Sequence, residues 1–236
     1  MMNDLVLSTS SISTYLRCGY RFFLEHVYRL PGAQNMEAAV GQAVHSGVEA
    51  YYKSPVRPEN ALRAAFESEV ARVPAEAVAA YPGALEDALR LLSVYLREVA
   101  PQFTPTLVEA PFTIMVEGVI ISGTIDGANE DVRDLKTTDR VSKFNPANYS
   151  LQLTLYSWGY RHLTGHAPRR LLLDVLGRTG KIPYRQFEVE PDDRGALDVI
   201  GIARDGILRG RFEPTGALSG QCRFCPYIEV CDHAVR

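Results

Sequence analysis

Two acidic residues and a lysine lie close together in the middle of the sequence. Asp126 ends one predicted strand, Asp134 lies on the next, and Lys136 follows two residues later. Because alternate residues of a strand point to one face, Asp134 and Lys136 share a face, and an antiparallel neighbour can bring Asp126 beside them. Two carboxylates on an apolar sheet favour a hard divalent ion such as Mg²⁺, which can polarise a phosphate and activate water. The alternative is a structural ion pair between Asp134 and Lys136.

Three further residues could complete such a site. His45, in a Gly-Gln-Ala-Val-His segment, offers an imidazole ligand, although a histidine beside an apolar helical stripe is more often structural. Gln152 and Tyr156 lie four residues apart on a predicted helix and therefore share a face, which is also typical of an ordinary amphipathic helix. Each residue is a weak signal by itself. Their order along the chain, together with the two acids and the lysine, is the stronger signal.

The four cysteines form a second candidate site. Cys222, Cys225 and Cys231 lie in the last fifteen residues, and Cys18 is near the start. The Cys-x-x-Cys spacing lets two thiolates reach one metal centre from a single turn, and the surrounding tail is too polar to be core. We therefore predict a four-thiolate site that joins the two ends of the sequence. Spacing alone does not distinguish zinc from an iron–sulfur cluster, and four unrelated buried thiols are the alternative.

Helices and strands must position these residues, and the hydrophobic periodicity predicts both. Its period changes from about 3.6 residues to 2 after the first hundred residues, and Glu117-Gly118 is predicted to join two strands in a hairpin. Helices are predicted over residues 7–28, 37–52, 60–73, 84–99, 146–163 and 192–208, and strands over 107–116, 119–126, 132–136, 170–176 and 184–189. This order predicts an α/β fold.

Length and composition limit the class of protein. A chain of 236 residues, 46% hydrophobic and 22% charged, matches globular proteins with one sizeable core and excludes disordered or collagen-like chains. No apolar run reaches the ~20 residues of a membrane span, and no secretory signal is visible, so we expect a cytoplasmic protein. The net charge is −3, yet residues 131–186 carry 10 basic and 4 acidic side chains. That basic half could meet a polyanion or simply form solvated faces.

In this order, the motifs resemble those of the RecB-family nucleases in the PD-(D/E)XK superfamily. The resemblance rests on segments 41–45, 123–126, 134–136 and 152–156. With the cysteine spacing added, the chain is similar to the iron–sulfur subgroup, which includes the AddB nuclease domain and the CRISPR adaptation exonucleases. Gly19 stands after the first cysteine where that subgroup often has proline.

The resemblance implies a residue for each role in the site. His45, Asp126, Asp134 and the carbonyl of Leu135 would be metal ligands, and Lys136 would be the catalytic lysine. Gln152 and Tyr156 would lie beside the active site and help to hold DNA, and the four cysteines would hold a [4Fe-4S] cluster. The basic segment would bind the DNA backbone through six residues: Arg133, Arg140, Lys143, Arg161, Arg169 and Arg170.

The implied fold is a restriction-endonuclease-like core, with a mixed central sheet flanked by helices. One nuclease domain would span 1–236, divided into an N-terminal helix with the first cysteine (1–35), a helical section (36–105), the core (106–210) and a cysteine-rich tail (211–236).

The implied activity is that of a Mg²⁺- or Mn²⁺-dependent deoxyribonuclease, most simply an exonuclease that prefers single strands or ends. DNA repair, recombination, phage replication and CRISPR adaptation are all compatible roles. Because no Gly-x-x-x-x-Gly-Lys-Ser/Thr helicase loop occurs, the protein would act alone or with a helicase, recombination or CRISPR partner protein. The alternative is a non-catalytic DNA-binding or adaptor subunit on the same fold, with a structural zinc site.

Overall fold

The structure is a computed structural model that describes residues 5–216 and 220–234. The outermost part of the predicted N-terminal segment (1–4) and parts of the predicted tail (217–219 and 235–236) lie outside the described residues. The described residues form two compact units, each assembled from separate stretches of chain. The smaller unit contains Met1–Ala33, Thr113–Gly123 and Asp192–Arg236, and the larger unit contains Gln34–Phe112 and Thr124–Pro191.

After the first hundred residues the main elements follow the predicted order, with three strands, a helix, two strands and a final helix. The described α-helices are α1 (Thr9–Arg17), α2 (Gly19–Phe22), α3 (Met36–Lys53), α4 (Pro58–Val70), α5 (Ala75–Ala79), α6 (Ala84–Glu98), α7 (Ser150–Thr164) and α8 (Asp193–Leu208). The strands are β1 (Val6–Leu7), β2 (Leu107–Val116), β3 (Val119–Ala128), β4 (Val132–Thr138), β5 (Leu171–Gly177) and β6 (Tyr184–Glu188). Shorter helical turns cover Phe23–Val27 (π) and Ala100–Gln102, Val141–Lys143, Pro146–Tyr149 and Cys222–Phe224 (3₁₀).

The prediction of one helix over residues 7–28 is wrong. Leu7 belongs to β1, and the helical stretch that follows is interrupted at Cys18, whose backbone is extended with φ −163° and ψ 107°. The interruption is tertiary in origin, because the N–H of Tyr20 donates to the carbonyl of Glu213, at 3.2 Å, in the C-terminal part of the chain. No local sequence pattern encodes that contact.

Two other predictions needed smaller corrections. The stretch predicted to connect two helices around residues 74–82 contains the short helix α5. The helix predicted from residue 146 begins as a 3₁₀ turn, in which the side chain of Asn145 accepts the N–H of Ala147 at 3.1 Å, and continues as α7 from Ser150.

The larger unit is a sheet between two layers of helices. Val40 and Val44 of α3 pack with Leu91 of α6 in one buried cluster that also contains Leu135 of β4 and Leu176 of β5. Helix α7 packs against β4 and β5 as well. All seven residues of β5 are buried, as expected for a strand covered on both faces. The predicted α/β class, a mixed sheet flanked by helices, is confirmed.

The pairing of the strands determines which side chains share a face. In the larger unit β4 runs parallel to β5, with Asp134 opposite Leu173 and Lys136 opposite Val175. Strand β3 is antiparallel to β4, and β6 is antiparallel to β5. Because paired residues of neighbouring strands point to the same side, the register decides which residues surround Asp134 and Lys136.

The predicted hairpin joins β2 to β3. Glu117 and Gly118 form its two-residue turn with φ of 48° and 77°, and positive φ at both positions is the requirement of a type I′ turn. In the smaller unit, β1 pairs in parallel with the first half of β3, with Val6 opposite Ile120. None of the described helices is long and apolar enough to cross a membrane.

Candidate active site

One imidazole and two carboxylates face one another in the larger unit. His45 on α3, Glu109 on β2 and Asp126 on β3 offer ligand atoms that all lie within 4.8 Å of one another. Nδ1 of His45 is 3.5 Å from Oδ2 of Asp126 and 3.9 Å from Oε1 of Glu109. Each side chain is about one-fifth to one-quarter exposed (His45 24%, Glu109 26% and Asp126 18%). An imidazole and two carboxylates at this spacing could share one divalent ion.

The backbone of Leu135 on β4 holds two of these side chains in place. Its N–H donates to Oδ2 of Asp126 at 2.9 Å, and its carbonyl lies 3.0 Å from Nε2 of His45. When Nε2 donates to that carbonyl, Nδ1 is the nitrogen that faces the two carboxylates. The Leu135 carbonyl, which was predicted to be a metal ligand, therefore contacts the cluster through Nε2 of His45.

Sequence reasoning missed Glu109. A single acidic residue within a strand has no partner at a characteristic spacing, so nothing local marked it as functional. The structure shows an unusual backbone there, with φ of +43°, a left-handed conformation that a non-glycine residue rarely adopts. The only sequence signal is one acid in the otherwise uncharged segment 107–116.

The predicted Asp134–Lys136 neighbours form a buried ion pair. Oδ1 of Asp134 accepts hydrogen bonds from Nζ of Lys136 and Nε2 of Gln152, both at 3.0 Å. Oδ2 lies 2.8 Å from the same Nζ but accepts no hydrogen bond from the described residues, although Asp134 is fully buried. The Gln152 amide also donates to Oη of Tyr156 at 2.8 Å. The structure thus brings four of the predicted site residues into one network.

The charges of the cluster shift the pKa values of its members. Burial raises the pKa of Asp134, against the opposing effect of the Lys136 ammonium. Burial lowers the pKa of Lys136, but the charges of Asp134 and Asp126 outweigh it and the pKa is raised overall. For His45 burial also opposes protonation, yet the charge of Asp126 and the hydrogen bond with Glu109 raise the pKa to about 9. Without a bound ion, protonated His45 and Lys136 offset part of the negative charge of the three carboxylates at neutral pH.

A divalent cation fits this donor set. The cluster supplies carboxylate oxygens and an imidazole at mutual ligand distance, a combination of donors that suits Mg²⁺ or Mn²⁺. Oδ2 of Asp134 accepts no hydrogen bond from the described residues, but the Lys136 ammonium 2.8 Å away already compensates its charge.

The basic residues that were predicted to contact DNA differ in their exposure to solvent. Lys143 is exposed and makes no ion pair in the described part of the chain, while the exposed Arg140 donates to Thr179 at 3.4 Å. Arg133 does not lie on a solvent-facing surface, which corrects the prediction. Its side chain is 11% exposed, 3.6 Å from Oδ2 of Asp174 and stacked on Phe103, because residue 133 points to the sheet face opposite Asp134.

The four cysteines line one cavity of the smaller unit, which is open to solvent. All four thiols are free, and burial raises the pKa of Cys225. A Cβ atom at Gly216 would lie 3.4 Å from Sγ of Cys222 and 3.6 Å from Sγ of Cys18, so a small residue borders the sulfurs. Among the residues described, no three sulfurs lie within 4.8 Å of one another.

Comparisons with known proteins agree with this architecture. A family model of the PD-(D/E)XK nuclease superfamily matches residues 6–232. A crystal structure of a proposed exonuclease from Eubacterium rectale is similar in fold, with a TM-score of 0.65 and 13% identity over 98% of this chain and 91% of that chain. The structure of SSO0001 matches with a TM-score of 0.43 and 19% identity over 95% and 98%, a likeness too weak to bear on the fold. No curated protein sequence matches significantly.

Proposed function

The chain belongs to the PD-(D/E)XK nuclease superfamily, and from this premise we propose that it is a divalent-metal-dependent deoxyribonuclease. The reaction is hydrolysis of a phosphodiester bond in DNA, performed as an exonuclease that prefers single strands or ends. The observation that carries the proposal is the convergence of His45, Glu109 and Asp126 beside the Asp134–Lys136 pair. Ordinary packing gives no reason to gather three carboxylates, an imidazole and an ammonium in one largely buried cluster.

His45, Glu109 and Asp126 are the residues that would hold Mg²⁺ or Mn²⁺, with Asp134 and the carbonyl of Leu135 adjoining them. Such an ion, when bound, supplies a Lewis acid for the scissile phosphate and makes water a stronger nucleophile at neutral pH. Because the pKa of His45 is raised to about 9, the imidazole must lose its proton before its nitrogen can act as a ligand.

The remaining residues of the site hold and direct the lysine. Asp134 fixes the Lys136 ammonium through contacts of 2.8 and 3.0 Å, and Gln152 holds Asp134 from α7. Since Lys136 is 20% exposed, its ammonium can reach a bound phosphate and stabilise the negative charge that develops during attack. Tyr156 orients the Gln152 amide through its hydroxyl group.

We also propose that Cys18, Cys222, Cys225 and Cys231 hold a [4Fe-4S] cluster. Four free thiols around one cavity are the ligand set of such a cluster. The resemblance to the iron–sulfur subgroup of RecB-family nucleases supports the same choice. The cluster would join the chain near residue 18 to its C-terminal part. A cytoplasmic role in repair, recombination, phage replication or CRISPR adaptation, alone or with a helicase partner, follows from that resemblance.

A cleavage assay with end-labelled single- and double-stranded DNA, with and without Mn²⁺, tests the nuclease proposal. The wild-type protein should shorten single strands only with metal, and Asp126→Asn should be at least about a hundredfold slower because it removes a ligand charge. Glu130→Gln is the matched control, since that carboxylate is 81% exposed in the same unit, and it should cleave like wild type. Equal cleavage by Asp126→Asn, or cleavage that needs no metal, would contradict the proposal.

A further inference from the structure

Three aromatic rings lie in a row beside the Lys136 ammonium in the larger unit. Nζ of Lys136 is 5.1 Å from the ring centre of Tyr149, which stacks on Phe144 with centres 5.1 Å apart and planes at 10°. Phe144 is in turn 5.6 Å from Phe187, at 32°. The guanidinium of Arg185 lies 4.8 Å above the Phe187 ring. We name Tyr149, Phe144, Phe187 and Arg185 the aromatic ladder.

The strand register places the ladder on the sheet face that carries the lysine. Asp134 on β4 is opposite Leu173 on β5, and Leu173 is opposite Phe187 on β6. In the same way, Lys136 is in register with Val175, and Val175 with Arg185. Paired residues point to the same side, so Phe187 and Arg185 share a face with Asp134 and Lys136. Two strand spacings, about 10 Å, separate β4 from β6, so the ladder leads from the lysine toward β6.

The exposure of the ladder distinguishes it from core packing. Phe144, Tyr149 and Phe187 are all partly exposed, whereas the core of this unit consists of residues that are buried almost completely. Two of the rings come from the irregular segment between β4 and α7, which no hydrophobic periodicity requires to be aromatic. The rings cover part of one another's faces, so their exposed edges and the outer ends of the row are the aromatic surface that unpaired nucleobases can contact.

Positive charge accompanies the rings. Lys143 directly precedes Phe144, is exposed and has no ionic partner among the described residues. Arg185 is exposed at the far end of the ladder, and Lys136 stands at the near end. Asp139 is the nearby acid in the segment after β4, and Arg140 and Arg178 pair with it. Cations beside aromatic rings match the alternation of phosphates and bases in a nucleic-acid strand.

We propose that the aromatic ladder binds the unpaired bases of a DNA single strand whose backbone passes Lys136. This inference deepens the proposed function. The cleavage of the bound strand rests on the nuclease proposal, whereas binding of the strand does not. Bases within a duplex are paired and covered on both faces by their neighbours, so they cannot turn outward to contact the rings. The ladder therefore selects single-stranded over double-stranded substrate.

Binding measured without catalysis tests the proposal. The probe is a fluorescein-labelled thymidine oligonucleotide of about 15 residues, compared with a duplex of the same length by anisotropy in EDTA. Phe144→Leu and Phe187→Leu remove a ring but keep apolar volume, and each should weaken single-strand binding by about fivefold to a hundredfold while duplex binding stays unchanged. Tyr51→Leu is the control, because Tyr51 is 47% exposed in the same unit but outside the ladder, and it should bind like wild type.

Unchanged single-strand affinity in both ladder variants, or an equal loss for the strand and the duplex, would overturn the proposal. A second measurement uses the wild-type protein and so does not depend on the folding of variants. A DNA oligonucleotide carrying 5-iodo-2′-deoxyuridine should crosslink on irradiation to Tyr149, Phe144 or Phe187, as mapped by mass spectrometry. The absence of a crosslink at all three rings would refute it. Because EDTA prevents metal-dependent cleavage, these outcomes are independent of whether the nuclease proposal holds.

Discussion

The Nζ atom of Lys136 lies 2.8 Å from Oδ2 of Asp134, and no part of that aspartate is exposed to solvent. The two residues are neighbours on one face of β4, and Gln152 also donates a hydrogen bond to the carboxylate. The lysine proposed for catalysis is therefore also the counter-ion of a buried charge. Its removal must affect stability as well as activity.

We expect Lys136→Ala to be inactive and less stable by about 1–3 kcal/mol, because it leaves a buried carboxylate without its cation. Adding Asp134→Asn should recover most of the stability and none of the activity. Urea unfolding of both variants at pH 7, beside a DNA cleavage assay, checks this. If Lys136→Ala unfolds at the same urea concentration as wild type, the ion pair does not stabilise the fold.

Replacing Glu109 tests whether it belongs to the metal site. Glu109→Gln keeps the shape of the side chain but removes its charge, so we expect Mn²⁺ affinity to fall about tenfold or more. Isothermal titration of the purified protein with Mn²⁺ measures the affinity directly and does not depend on cleavage. Glu130→Gln is the control with the same chemical change at an exposed position, and it should bind Mn²⁺ like wild type. Equal affinities of all three proteins would remove Glu109 from the ligand set.

Gly159 on α7 should not tolerate the small substitution that usually strengthens a helix. A Cβ atom there would lie 2.5 Å from Cγ of Phe112, whose ring also packs edge-on against Tyr156. Gly159→Ala should therefore destabilise the protein by about 1–3 kcal/mol. At Gly201 on α8 an added Cβ meets no atom within 4 Å, so Gly201→Ala should stabilise by up to about 1 kcal/mol. Thermal unfolding measures both effects. Melting temperatures that change in the same direction for the two variants would contradict the packing of Phe112 against Gly159.

Asp131 makes the stability of the fold depend on pH in the acidic range. Burial works against its ionised form, but hydrogen bonds from Arg170 and Arg169 lower its pKa to about 2. Because the folded pKa lies below the unfolded value of about 3.9, the stabilisation is complete above pH 4 and is lost as the pH falls toward 2. Both arginines are partly exposed, so screening reduces the effect to about 1–2 kcal/mol. Asp131→Asn should lower the free energy of unfolding at pH 7 and flatten its change between pH 4 and 2, as urea titrations would show. An equally steep acid dependence in the variant would point to another group.

The cysteine cavity predicts a coloured protein. Anaerobically purified protein should be brown, with broad absorbance near about 400 nm and about four iron atoms per chain. Cys225→Ser should lose both iron and colour. Because metal binding is coupled to folding, chelation should also lower the melting temperature. A colourless protein that contains one zinc ion per chain would replace the cluster with a zinc site and leave the nuclease proposal intact.

The sequence by itself determined the α/β class and most element bounds, because hydrophobic periodicity is a local property of the chain. It also indicated that Asp134 and Lys136 share a face, since that follows from the two-residue repeat of a single strand. His45, Asp126 and Gln152 could be linked to this pair by their order alone. Their distances from it could not be derived, because they depend on how α3, β3 and α7 pack.

Only the tertiary structure decided which residues complete the cluster. Glu109 carries no motif, and its approach to His45 depends on a left-handed backbone and on the packing of β2 beside α3. The position of Phe187 beside Phe144 follows from the β4–β5–β6 register, which no local spacing encodes. Contacts between distant segments are set by the free energy of packing the whole unit, so they become visible only when the strands are paired.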